Sequence, residues 1–131
     1  MKKICFLIII LVPLVVKSQA LLGFSIEDIK ANFSENSFEK IISDNGRLMY
    51  RTEFEHGDFI YVFDKETLLS NTCMLFPNNL ANLNALVELY NKEYVVVSDS
   101  SWKAYLDNGT IMKVELIFDT KNKIYFFVYK P

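Results

Sequence analysis

Histidine, cysteine, glycine and proline are scarce in this 131-residue chain, which holds one His, two Cys, four Gly and three Pro. Each scarcity removes a class of function. One histidine and two distant cysteines do not make a zinc or copper site, and no metal or other cofactor is expected. No glycine stands in a G-x-G setting, so no phosphate-cradling loop is present. Calcium loops interleave oxygen ligands with glycine, and no such stretch occurs. No Pro/Gly/Ser-rich linker or low-complexity tract divides the chain. Basic residues are scattered rather than clustered and the net charge is −2, so nucleic-acid binding is not expected.

What is present begins at the N-terminus. Lys2 and Lys3 precede an apolar run from Ile4 to Val16, broken only by Pro13. Ser18-Gln19-Ala20 puts small residues at the −3 and −1 positions of a signal-peptidase site. The run is 13 residues long, whereas a membrane-spanning helix needs roughly 20. Residues 1–20 are therefore expected to be a cleaved signal peptide, and no permanent membrane anchor is expected. Leu21, not cysteine, follows the cleavage site, which argues against a lipid anchor. The mature protein is expected to be secreted or periplasmic.

Cleavage would leave 111 residues, enough for one domain with a hydrophobic core. Lys2, Lys3 and Lys17 would be lost without any acidic residue, taking the net charge to −5. Cys73 would be the only thiol, so no internal disulfide could form. Its setting, Cys73-Met74-Leu75-Phe76, favours burial as a small hydrophobe over pairing with another chain.

Two helices are expected. One begins at Ser25, with Ile26, Ile29 and Phe33 at helical spacing. The other follows Pro77, capped by Asn78 or Asn79, with Leu80, Leu83, Leu86, Val87 and Tyr90 on its apolar face. Strands are expected at 38–43, 48–54, 58–63, 69–76, 94–97, 102–106, 111–118 and 124–129. Asn45-Gly46 and Asn108-Gly109 are hairpin signals. Segment 124–129 is apolar on both faces, as in a central strand.

The order repeats. A shift of 55 residues lays Ile41–Asp64 over Val96–Asp119 without a gap and matches Ser43 to Ser98, Asp44 to Asp99, Tyr50 to Tyr105 and Phe63-Asp64 to Phe118-Asp119. The expected architecture is α+β: two tandem α-β-β-β(-β) units, over residues 21–77 and 78–131, forming one antiparallel sheet with both helices on one face.

The matched strand endings Tyr61-Val62-Phe63-Asp64 and Leu116-Ile117-Phe118-Asp119 resemble those of PepSY-like or β-lactamase-inhibitor-like α-β-β-β repeat proteins. Segment 90–109 also resembles small secreted proteins of Bacteroidota. The resemblance implies periplasmic or extracellular protein binding or inhibition, and it transfers no catalytic residue.

Candidate chemistry is thin. His56 and Asp58 suggest part of a triad but lack an evident nucleophile. Asp44, Asp64, Asp99 and Asp119 could converge for acid–base work, although aspartate at a strand end more often holds its own turn. The aromatic residues Tyr61, Trp102, Tyr105, Tyr125 and Phe127 all fall on expected strands. Either they form an exposed face for a partner, or helices cover them as core. The leading expectation is a non-catalytic interaction protein binding another exported or envelope protein through this set. The alternatives are a small secreted hydrolase using carboxylates and a structural component of an envelope complex.

Overall fold

The computed structural model describes residues 20–106 and 109–131. Of the expected signal peptide only Ala20 falls within this range, so that expectation lies outside the described residues, as does Asn108. Ala20 itself is buried against the core.

Among the described residues two helices of more than one turn form where polar caps precede apolar periodicity. In α1 (Ile26–Asn32) the Ser25 hydroxyl accepts the Asp28 amide at 3.2 Å. In α2 (Leu80–Glu93) the Asn79 side chain accepts the Asn82 amide at 2.8 Å. Each cap satisfies an amide that the helix itself cannot.

Eight strands follow the expected positions within a residue or two: β1 (Phe38–Ile42), β2 (Leu48–Phe54), β3 (Gly57–Phe63), β4 (Ser70–Pro77), β5 (Val95–Ser98), β6 (Ser101–Tyr105), β7 (Ile111–Asp119) and β8 (Ile124–Lys130). They form one sheet in the order β1-β2-β3-β4-β8-β7-β6-β5, antiparallel throughout. Each set of four is a simple meander, and the two meet where β4 pairs with β8. Gly46, at φ +79°, lets the first hairpin turn tightly and donates its amide to the Ser43 carbonyl at 2.8 Å.

Successive strand residues point to opposite faces. Phe59, Tyr61 and Phe63 of β3, Cys73 and Leu75 of β4, Phe127 and Tyr129 of β8, Met112 and Val114 of β7, and Trp102 and Ala104 of β6 all join one buried cluster. Ile29 of α1 and Leu83, Leu86 and Tyr90 of α2 complete it. Tyr90 is its centre: its ring stacks on Tyr94 at 4.9 Å and meets Phe127 edge-on at 5.3 Å and Trp102 at 5.7 Å. Its hydroxyl is hydrogen-bonded to that of Tyr129, so neither buried phenol lacks a partner. Ser70 ties residues 21–24 to the start of β4: its hydroxyl donates to the Leu21 carbonyl at 2.5 Å, and Gly23 donates its amide to the Ser70 carbonyl at 2.7 Å.

Among the described residues no helix is long and apolar enough to cross a membrane.

Candidate functional site

The helices cover one face of the sheet, and among the described residues no helix or strand covers the other. Register fixes what that open face presents. Across its middle, paired residues read Glu39, Arg51, Ile60, Met74, Val128, Glu115 and Ser101, from β1 through β6. Phe76 and Phe126 stack beside this row at 5.0 Å, with Ile117 opposite Phe126. Val62 and Val128 are buried yet stand apart from the helix-side core, because they project from the opposite face. The centre of the open face is thus a contiguous apolar band formed by Ile60, Val62, Met74, Phe76, Phe126 and Val128.

Charge flanks this band unevenly. On the β1–β3 side the Arg51 guanidinium holds Asp58 with contacts of 2.6 and 3.2 Å, and reaches Glu39 at 3.3 Å and Glu53 at 3.4 Å. Its pKa is raised, first by the hydrogen bond to Asp58. On the β6–β8 side Lys103 lies directly opposite Lys113, and Lys113 directly opposite Lys130. Lys130 approaches Glu115 at 3.7 Å, while Lys103 and Lys113 make no ion pair among the described residues.

The five aromatic residues singled out in the sequence do not form one surface. Tyr61, Trp102 and Phe127 are 0–1 % exposed on the helix side. Their place in the core corrects the expectation of an exposed set. The physical reason is register: each points toward α2 or its neighbours, and the Trp102 indole N–H donates to Asn91 of α2 at 2.8 Å. Tyr105 and Tyr125 are exposed but lie far apart. Tyr105 pairs with Ile111 at the start of β7, and Tyr125 pairs with Phe118 near its end. That separation is about 24 Å along the strand. The residues that do make an aromatic contact on the open face, Phe76 and Phe126, were missed. Their signal was the double-sided apolarity of β8, which requires its second face to carry apolar side chains too.

Three of the acid–base candidates, Asp58, Asp64 and Asp119, are committed to local structure. Asp58 is held by Arg51. The His56 carbonyl accepts the Asn78 amide at 3.1 Å and the Asn82 side chain at 3.3 Å, which ties the β2–β3 hairpin to the start of α2. Asp64 accepts the amides of Glu66 and Thr67, both at 2.9 Å. Asp119 accepts those of Lys121 at 3.0 Å and Asn122 at 3.3 Å. Hydrogen bonding to these turns lowers both carboxyl pKa values, led by the Thr67 amide for Asp64 and the Asn122 side chain for Asp119. Among the described residues no group of three His, Cys, Asp or Glu could hold a metal ion. Cys73 is free and fully buried, and burial pushes its thiol pKa well up, away from the reactive thiolate. A shallow hollow beside β1 and β2, lined by Asn36, Glu39, Arg51 and Glu53, has its only cation already committed to carboxylates.

No protein-family model, curated protein or solved structure matches this chain.

Proposed function

We propose that this chain is an exported, non-catalytic protein-binding module and that its open sheet face is the contact surface. One observation carries the proposal: helices bury one face of an eight-stranded sheet, while the other bears a contiguous apolar band rimmed by charge. Apolar patches of this kind on small domains mark interaction sites, and an aromatic centre with a polar rim is the usual anatomy of a protein interface. The surface is therefore the half-buried Ile60, Met74, Phe76 and Phe126, rather than the set containing Trp102.

Two tandem α-β-β-β(-β) units, as in PepSY-like or β-lactamase-inhibitor-like proteins, are part of this proposal. Two features support the duplication. Both halves run helix and then a four-stranded meander. The turns after Phe63-Asp64 and Phe118-Asp119 also share their chemistry at the same 55-residue shift. In each, the aspartate accepts amides two and three residues on, and the residue four on is left-handed: Leu68 at φ +57° and Lys123 at φ +55°. Export by cleavage after Ala20, release into the periplasm or medium, and the lack of a permanent anchor rest on the N-terminal sequence.

The test is photocrosslinking from position 74 of the mature protein in a native envelope fraction. A discrete adduct is expected, and Phe76→Ala with Phe126→Ala should reduce it at least fivefold while the fold persists. An adduct pattern unchanged by those substitutions would refute the proposal. A mature N-terminus other than Leu21, read by mass spectrometry, would refute the cleavage site.

A second reading, a structural role in an envelope assembly, draws on the edge strand β5. Val95, Val96 and Val97 are each 50–56 % exposed there, and unpaired edges recruit further strands. Val96→Lys would block such assembly and leave the open face unaffected.

A further inference from the structure

Among the described residues nothing in the packing accounts for the row Lys103, Lys113, Lys130. Neighbouring strands lie about 4.8 Å apart, so three ammonium stems rise side by side within about 10 Å. Like charges directly opposite one another destabilise a sheet. Among the described residues only Lys130 makes an ion pair, with Glu115 at 3.7 Å. The concentration is notable in a chain of net negative charge. Three residues on successive strands are brought into one row by the register of β6, β7 and β8.

We infer that this row recognises an acidic amphipathic helix of a partner protein, laid across the strands with its apolar side on the neighbouring band. The inference rests on the open face being the binding surface. Carboxylates three or four residues apart on a helix are about 5–6 Å from one another, close to the pitch of the lysine row. Apolar residues flanking that stripe would reach the half-buried Met74 and Phe126. The far side of the band limits what else fits. An anionic membrane would cover the whole face and meet Glu39, Glu53 and Asp58 as well, which repel it. A nucleic acid would find only three cations before meeting those same carboxylates. A protein helix can be acidic where it crosses the lysines and apolar beyond them.

The probe is a synthetic 18-residue helical peptide with a glutamate stripe beside a leucine stripe, and a matched peptide with lysine in place of glutamate. Binding to the mature protein is read by titration calorimetry and by amide shifts on β6–β8. The glutamate peptide should bind at least tenfold more tightly than the lysine peptide and weaken with salt. K103E/K113E/K130E should reverse that preference, and the milder K113Q should weaken glutamate-peptide binding about threefold with an unchanged melting temperature. Equal affinity for the two peptides, no binding of either, or indifference to these substitutions overturns the inference. So does tighter lysine-dependent binding of phosphatidylglycerol vesicles or of a single-stranded oligonucleotide, which would assign the row to that ligand. The two proposals fail separately. If Phe126→Ala abolishes the envelope crosslink while K103E/K113E/K130E retains it, the open face stands and the acidic-helix assignment falls.

Discussion

Replacing Trp102 by alanine separates core from contact surface. Trp102 is 1 % exposed, packs on Tyr90 at 5.7 Å and Phe127 at 6.2 Å, and donates its indole N–H to Asn91. Truncating a buried tryptophan leaves a cavity and costs about 3–5 kcal/mol, a large part of the roughly 5–15 kcal/mol that holds such a domain folded. At about 4 °C per kcal/mol for a domain near this size, the melting temperature should fall by roughly 12–20 °C. Phe126→Ala is the control. Phe126 is partly exposed on the open face and its main packing partner is Phe76 at 5.0 Å, so its loss should cost only about 1–1.5 kcal/mol. Urea unfolding followed by circular dichroism measures both on the mature protein. The assignment of faces is refuted if Trp102→Ala costs less than about 1 kcal/mol, or if the two losses are equal.

Three further outcomes follow from buried groups and close contacts. Tyr90→Phe or Tyr129→Phe alone leaves a buried hydroxyl without its partner and should cost about 1–3 kcal/mol, whereas the double substitution should cost little more than either alone; additive losses in a double-mutant cycle would refute the pairing. Burial raises the phenol pKa values of Tyr61, Tyr90, Tyr94 and Tyr129 above the ordinary tyrosine range. The fold thus favours their neutral forms, so stability is fully present below about pH 10 and falls above it by about 1.4 kcal/mol per pH unit for each such tyrosine. Their tyrosinate absorbance should appear only with unfolding, and titration of all four in an intact fold near pH 10 would contradict this. A Cβ on Gly57 would stand 2.3 Å from the Phe76 carbonyl oxygen, so Gly57→Ala should cost about 1–3 kcal/mol by forcing β3 from β4, and an unchanged unfolding midpoint would show that this approach is not tight.

The elements were legible because they rest on local signals. Ser25 and Asn79 cap helices whose apolar residues recur at the right spacing, and strands alternate between turn residues. The order within each meander follows from short connections between neighbours, whereas the β4–β8 pairing that joins them links strands distant in sequence and carried no local signal. Which face holds the core was not legible from composition. Tyr61 and Phe127 sit in strands that are apolar on both sides, so periodicity could not say which set the helices would cover. Trp102 was drawn to the surface reading by its chemistry, yet α2 supplies Asn91 as its acceptor, a contact that crosses elements. Asp64 and Asp119 are legible as turn formers, because the amides that donate to them lie only two and three residues on in sequence.

The lysine row shows why the rest was hidden, and why it is durable. Lys103, Lys113 and Lys130 look scattered along the chain, and only pairing across β6, β7 and β8 brings them together. The same register that aligns them places Met112 and Val114, on either side of Lys113, in the core at 2 % and 0 % exposure. Slipping β7 by one residue would drive Lys113 among Tyr90 and Trp102 and turn Val114 outward. Burying an unpaired ammonium there costs several kcal/mol, so packing holds the register and the register holds the row. The charge pattern of the open face is therefore a by-product of core packing in its position but not in its content. Any polar residue at 103, 113 and 130 would satisfy the fold, so packing alone does not call for lysine at all three.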